Sequence, residues 1–114
     1  MITVNTTYNK AKRHIRFEVK GHAGQAERGH DIVCSAVSIL VYTVAHIFMT
    51  MEIEGDFSEI PCIELQSGDT VIDAICKDDN AFGEAVRTIF YASTGCRLLQ
   101  ATYPQYVQLF INEA

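Results

Sequence analysis

Gly21 to Ala36 reads GHAGQAERGHDIVCSA. On its N-terminal side, residues 2 to 8 (ITVNTTY) and 14 to 20 (HIRFEVK) alternate with a period of two around the polar Asn9-Lys10-Ala11-Lys12, which predicts a β-hairpin ended by Gly21. On its C-terminal side, Val33, Val37, Leu40, Val44 and Phe48 recur at spacings of three and four, which predicts a helix running to about Glu52, before the Gly55-Asp56 break. The stretch is therefore a glycine-bearing loop from His22 to His30 that carries the chain from sheet to helix, with Asp31 as the candidate N-cap.

Ile60 to Leu65 and Thr70 to Cys76 read as a second strand pair joined through Gln66-Ser67-Gly68-Asp69, where Gly and Asp supply turn conformations. A second helix is expected from Asp79-Asn80, either of which can cap it, through Phe82, Val86, Ile89 and Phe90 to about Thr102, short of Pro104. Gln105 to Ile111 then reads as a last strand. The order β-β-α-β-β-α-β predicts one α+β domain over residues 1–114, a mainly antiparallel sheet with two helices packed on one face.

Composition narrows the function classes. The chain has 114 residues, 48% of them apolar, enough to bury a core. Its net charge of -5 gives no basic stripe, which argues against direct nucleic-acid binding and suits a basic peptide or tail as partner. Cys34, Cys62, Cys76 and Cys96 contain no C-x-x-C pair, and Met1-Ile2-Thr3-Val4 opens straight into strand-like alternation, so free thiols in the cytoplasm are expected. Ile32 to Met51 carries no formal charge and meets the length criterion for a membrane span. It also holds Ser35, Ser38, Thr43, His46 and Thr50 and lacks a flanking Lys/Arg cluster, so a buried core helix is expected instead.

The chemistry in the opening stretch lies in His22 and Cys34. With Asp31 as cap, Cys34 falls at the N3 position of the helix. A free thiol is only about 3% thiolate at pH 7, and lowering its pKa by about two units needs roughly 2.7 kcal/mol. The helix macrodipole typically supplies about 0.3–1 kcal/mol and at best about 2. A protonated imidazole beside the sulfur would provide the remainder and then act as general acid toward a leaving amine. His22, between Gly21 and a loop holding Gly24 and Gly29, is placed to fold back over the helix start, whereas His30 sits just before the cap and turns inward less readily. Ser38, four residues after Cys34, shares its helix face and can hydrogen-bond the sulfur or the imidazole. Asp31 has two competing roles, capping first and orienting an imidazole second.

Spacing alone leaves other readings open. Free cysteines are commonly inert core residues, and one His-Cys pair is a weak motif. His22, His30 and Cys34 as zinc ligands would give H-x7-H-x3-C, which fits no standard pattern and lacks an evident fourth ligand. Cys62, Cys76 and Cys96 read as core or half-buried thiols, and His14 and His46 as structural.

The GHAG run followed by DIVCSAVS at residues 31 to 38 closely resembles the signature of the ribosomal-processing cysteine proteases, the Prp family, with a weaker echo in GCRLLQATYPQYV at residues 95 to 107. The resemblance implies a small homodimeric α+β endopeptidase without metal or cofactor. Its substrate would be a precursor of a large-subunit ribosomal protein, the twenty-seventh of its series, from which it removes an N-terminal extension in the bacterial cytoplasm. Some relatives process phage structural proteins. The family's catalytic histidine falls on His22 and its nucleophile on Cys34, with Asp31 and Ser38 in support and Gly21, Ala23, Gly24 and Gly29 on the loop and substrate side. Gln25 and Arg28 stand where many relatives carry an aromatic. The implied mechanism runs through an acyl-enzyme whose oxyanion is held by amides at the helix start. Separately, Gly24 and Gly29 in the loop between base and nucleophile suggest gating, in which substrate orders residues 23 to 30 and closes the pair. The rival from another class is a non-catalytic module that holds a ribosomal or phage protein in the same groove, with Cys34 packed as an inert residue.

Overall fold

In a computed structural model, residues 1–22 and 28–114 are described, with side chains for 1–22 and 32–114. The alternating segments form the expected hairpin: β1 (Ile2–Asn9) pairs antiparallel with β2 (His14–Lys20), from Thr3 opposite Lys20 to Asn9 opposite His14. The turn between them is held by the Asn9 carboxamide, whose Oδ1 accepts from the Lys12 amide at 3.0 Å. Arg13 sits there with a positive φ of 53°. The period-three-four segment forms α1 (Arg28–Ile53), followed by a second hairpin of β3 (Cys62–Gln66) and β4 (Asp69–Ile75). α2 (Asp79–Thr102) and β5 (Val107–Glu113) complete the chain, in the predicted order.

The five strands form one sheet in the order β3-β4-β2-β1-β5. Three of its four pairings are antiparallel; β5 lies parallel to β1, with Val107 opposite Ile2. A parallel neighbour requires a crossover, and α2 lies between the central hairpins and β5 in the chain, packed against β1, β2 and β5. One face of each central strand is buried under the helices. Ile15, Phe17 and Val19 from β2 and Ile72 and Ala74 from β4 meet Val33, Val37, Val44 and Phe48 from α1 and Phe82, Ala85 and Ile89 from α2 in one core.

The opposite face of the sheet is polar. Arg16 and Asp73 are register partners on β2 and β4, and Arg16 Nη1 donates to Asp73 Oδ2 at 2.7 Å. The His14 ring contacts the other carboxylate oxygen at 2.7 Å, which accounts for His14 as a structural residue. Arg16 Nε also donates to Glu18 Oε1.

Several boundaries differ from the sequence reading. α1 begins at Arg28, three residues before Asp31, so Asp31 is helical and is not the N-cap; the apolar periodicity that marked the helix starts only at Val33 and carries no sign of the turn upstream. β3 starts at Cys62 because Pro61 has no amide to give the ladder, and Ile60 is left 87% exposed. α2 is capped by Asp78, not by Asp79 or Asn80. Asp78 has an extended backbone and its Oδ1 accepts from the Ala81 amide at 2.8 Å. β5 lies two residues later than expected, since residues after the Tyr103 cap form a turn in which the Tyr106 amide donates to the Tyr103 carbonyl at 3.0 Å. Within α1, Ile32–Ile53 is long and apolar enough to cross a membrane by length and composition, yet Val33, Val37, Val41, Val44 and Phe48 are buried against the domain's own core.

Candidate active site

The site forms where β2 ends. Its ladder with β4 closes at Lys20 opposite Asp69, and the next amide, Gly21, still donates to the Gly68 carbonyl in the β3–β4 turn at 3.0 Å. Gly21 has a φ of +99°, and a Cβ there would lie 2.2 Å from the Met1 carbonyl oxygen, so the position admits no side chain. The Met1 nitrogen in turn donates to the His22 carbonyl at 2.9 Å. His22 is thus exposed in side chain but held in backbone by Met1, just ahead of β1, and through its neighbour Gly21 by the turn of the second hairpin.

Cys34 and Ser38 approach the same place from α1, one turn apart on one helix face. His22, Cys34 and Ser38 together line a cavity of about 240 Å³. Its floor is apolar, from Ile2, Val19, Val37 and Val41, and its rim is the β3–β4 turn from Gln66 to Thr70 together with Tyr42. The cavity therefore joins a half-buried thiol, an imidazole and a hydroxyl over an apolar base, a donor set suited to attack on an acyl carbon.

The other three cysteines have different surroundings. Burial pushes the Cys96 thiol up to about 11. Burial, with Asp56 and Asp78 nearby, does the same for Cys76, also to about 11. Cys62, read from sequence as core or half-buried, is exposed on the edge strand; residual burial and the Glu64 carboxylate raise its thiol. All three are thereby held as thiols at neutral pH, in surroundings that disfavour a nucleophile.

Of the residues singled out from sequence, the structure brings together Gly21, His22, Cys34 and Ser38. Ala23 and Gly24, and with them most of the loop assigned a gating role, lie outside the described residues, as do the side chains of Asp31 and of His30, the third member of the alternative zinc set. Gly29 is part of α1, not of the loop. Because α1 starts at Arg28, Cys34 lies six residues beyond the helix start, not at N3. Its amide is past the free N–H groups of the first turn, so it is not an oxyanion donor, and the macrodipole acts on its sulfur less than an N3 placement implied. Sequence reasoning took Gln66-Ser67-Gly68-Asp69 for a turn and missed that it walls the site. Tyr42 was missed too, although its spacing of four from Ser38 places it on the Cys34 face.

The structure resembles SMU.848 from Streptococcus mutans, with 25% identity, a TM-score of 0.69, and coverage of 100% of this chain and 96% of that one. It also resembles the essential ribosomal processing protease Prp from S. aureus in complex with a substrate peptide, at 24% identity and a TM-score of 0.72 over 98% of this chain and all of that one. A second S. aureus structure of that protease, with a covalently linked product peptide, matches at 24% identity and a TM-score of 0.68 over the whole of both chains. No curated protein matches the chain. The family described as cysteine protease Prp matches residues 1–108, a span that runs from β1 through the histidine-bearing exit of β2 and the cysteine-bearing helix to the start of β5. The chain accordingly belongs to the Prp family of cysteine proteases.

Proposed function

We propose that this cysteine protease removes the N-terminal extension from a precursor of a large-subunit ribosomal protein, the twenty-seventh of its series, in the bacterial cytoplasm, with Cys34 as nucleophile and His22 as acid and base. The observation that carries the catalytic assignment is that these two residues, on separate elements, line one cavity with Ser38. The substrate assignment draws on the S. aureus proteases with bound peptides and on the acidic surface, whose net charge of -5 favours a basic extension.

In this reading Cys34 Sγ attacks the scissile carbonyl carbon and forms a C–S bond. The C–N bond breaks as the His22 imidazolium gives its proton to the departing amine. His22 then takes a proton from water, whose oxygen attacks the thioester and frees the acid and the Cys34 sulfur. With the Cys34 amide engaged inside α1, Ser38, one turn further along the same helix face and lining the same cavity, offers a hydroxyl to donate to the developing oxyanion.

The protein is further proposed to act as a homodimer. α1 and α2 expose large apolar side chains, among them Ile39, Tyr42 and Ile47 on α1 and Tyr91 and Leu98 on α2. Tyr42 lines both this outer face and the catalytic cavity, which would connect dimer formation with the site.

Mass spectrometry of the precursor after incubation with the protein tests the substrate assignment. The expected result is a single cut that releases the extension. An intact precursor, with the protein still active on a phage structural protein, would move the assignment to that class of substrate.

A further inference from the structure

The His22 ring and the β3–β4 turn occupy space that only glycine leaves open. A Cβ built on Gly68 would lie 2.2 Å from His22 Nε2, 2.4 Å from Cε1 and 3.0 Å from Cδ2. Three ring atoms therefore lie over the Cα of Gly68. The turn itself is tied to the backbone beside His22, through the hydrogen bond from the Gly21 amide to the Gly68 carbonyl at 3.0 Å. Gly68, His22 and Cys34 line the same cavity.

We infer that Gly68 is a positioning residue for His22: the bare backbone of the turn forms the seat on which the imidazole rests, and this seat fixes where the ring stands relative to Cys34. The inference deepens the catalytic reading and rests on His22 being the acid and base of the reaction. A side chain at position 68 would rotate or lift the ring, and misplacing a general base by about 1 Å can cost on the order of 10²-fold in rate.

A second glycine supplies a matched control. Gly55 has a φ of +79°, close to the +72° of Gly68, but a Cβ there would meet nothing within 4 Å. Gly55→Ala therefore measures the backbone strain of a left-handed residue, whereas Gly68→Ala adds the collision with the ring.

The test compares the wild type, Gly55→Ala, Gly68→Ala, His22→Ala and the double variant His22→Ala/Gly68→Ala in three measurements. These are the pH profile of iodoacetamide labelling at Cys34, the His22 ring signals in long-range proton–nitrogen spectra, and stability in urea. Gly68→Ala is expected to shift the His22 ring signals, to slow Cys34 labelling near neutral pH by about tenfold or more, and to move its profile onto that of His22→Ala. Gly55→Ala leaves both readouts at wild-type values. In urea, Gly68→Ala lowers the midpoint more than Gly55→Ala does, and the excess vanishes when His22 is already alanine. Wild-type ring signals in Gly68→Ala, or an equal cost of that substitution with and without the imidazole, would overturn the inference. If His22→Ala leaves Cys34 labelling unchanged, the catalytic reading fails, while the ring signals and the urea cycle still decide whether Gly68 seats the ring.

Discussion

His22 leaves the end of β2 and Cys34 projects from the second turn of α1, and the two line one cavity although twelve positions separate them in sequence. Neither element alone makes the site. It depends on the β2–β4 ladder bringing the Gln66–Thr70 turn beside His22, and on α1 packing over the sheet so that Val37 and Val41 face inward while Cys34 and Ser38 reach the rim.

The four cysteines should separate cleanly by reactivity. Near neutral pH, iodoacetamide is expected to label Cys34 fastest and to spare Cys76 and Cys96, whose thiols burial pushes up to about 11. Cys62 is exposed but its thiol is also raised, so it labels more slowly than Cys34 and gains as pH rises. Residue-level mass spectrometry of the folded and urea-unfolded protein checks this order, and all four should label alike once unfolded.

Acid should destabilise the protein through the polar face of the sheet. Burial pushes the Asp73 carboxyl up, but hydrogen bonds from Arg16 and His14 outweigh it and hold the group below the usual carboxylate range. Arg16 likewise lowers Glu18, chiefly by its hydrogen bond and against the cost of burial. A carboxylate lowered in the folded state stabilises above its unfolded pKa of about 4, and that contribution fades as pH falls through the folded value. Asp73→Asn should therefore cost on the order of 1 kcal/mol at neutral pH and flatten the loss of stability below about pH 4, as read by urea unfolding over a pH series.

The start of α2 rests on one side chain. Asp78→Ala removes the carboxylate that accepts from the Ala81 amide and is expected to cost about 1 kcal/mol. Asp78→Ser should recover most of this, because a serine oxygen can cap the same amide. Thermal unfolding of the two variants gives the comparison.

The proposed dimer can be broken without touching the catalytic pair. Ile39 is 63% exposed on the outer face of α1, so a charge there leaves the core intact but would be buried in a helix-face interface. Ile39→Glu should shift the protein from dimer to monomer in size-exclusion chromatography with light scattering. A wild-type monomer at all concentrations would count against the dimer.

Element order and the α+β class were legible in the sequence because strands and helices bury faces with different periods, and the switch at Gly21–Ala36 is sharp; the strand order, with β5 parallel to β1, was not, since pairing joins segments distant in sequence. The boundaries that moved are those where no apolar residue marks the end. The apolar three-four spacing begins only at Val33 and gives no mark of the helix upstream, and the Asp78 cap lies among three consecutive polar residues, any of which could cap. His22, Cys34 and Ser38 were legible as a group because Ser38 follows Cys34 by one helical turn and a single loop links them to His22. The wall from Gln66 to Thr70 was not. It lies some thirty residues or more from Cys34 in sequence and enters the site only through the register of β4 against β2, which no local pattern encodes. The same holds for the seat of His22 on Gly68, since the turn chemistry of a glycine gives one sufficient reason for its presence and conceals the second.

The central claim, that Cys34 is the nucleophile, is tested most directly by intact-mass analysis of the protein and its precursor substrate together. The wild type should release the N-terminal extension and, when quenched early, carry a transient mass increase equal to the acyl fragment and located on Cys34. Cys34→Ala should show neither while keeping its unfolding free energy within about 1 kcal/mol of the wild type. Cleavage at an undiminished rate by a folded Cys34→Ala variant would contradict the account.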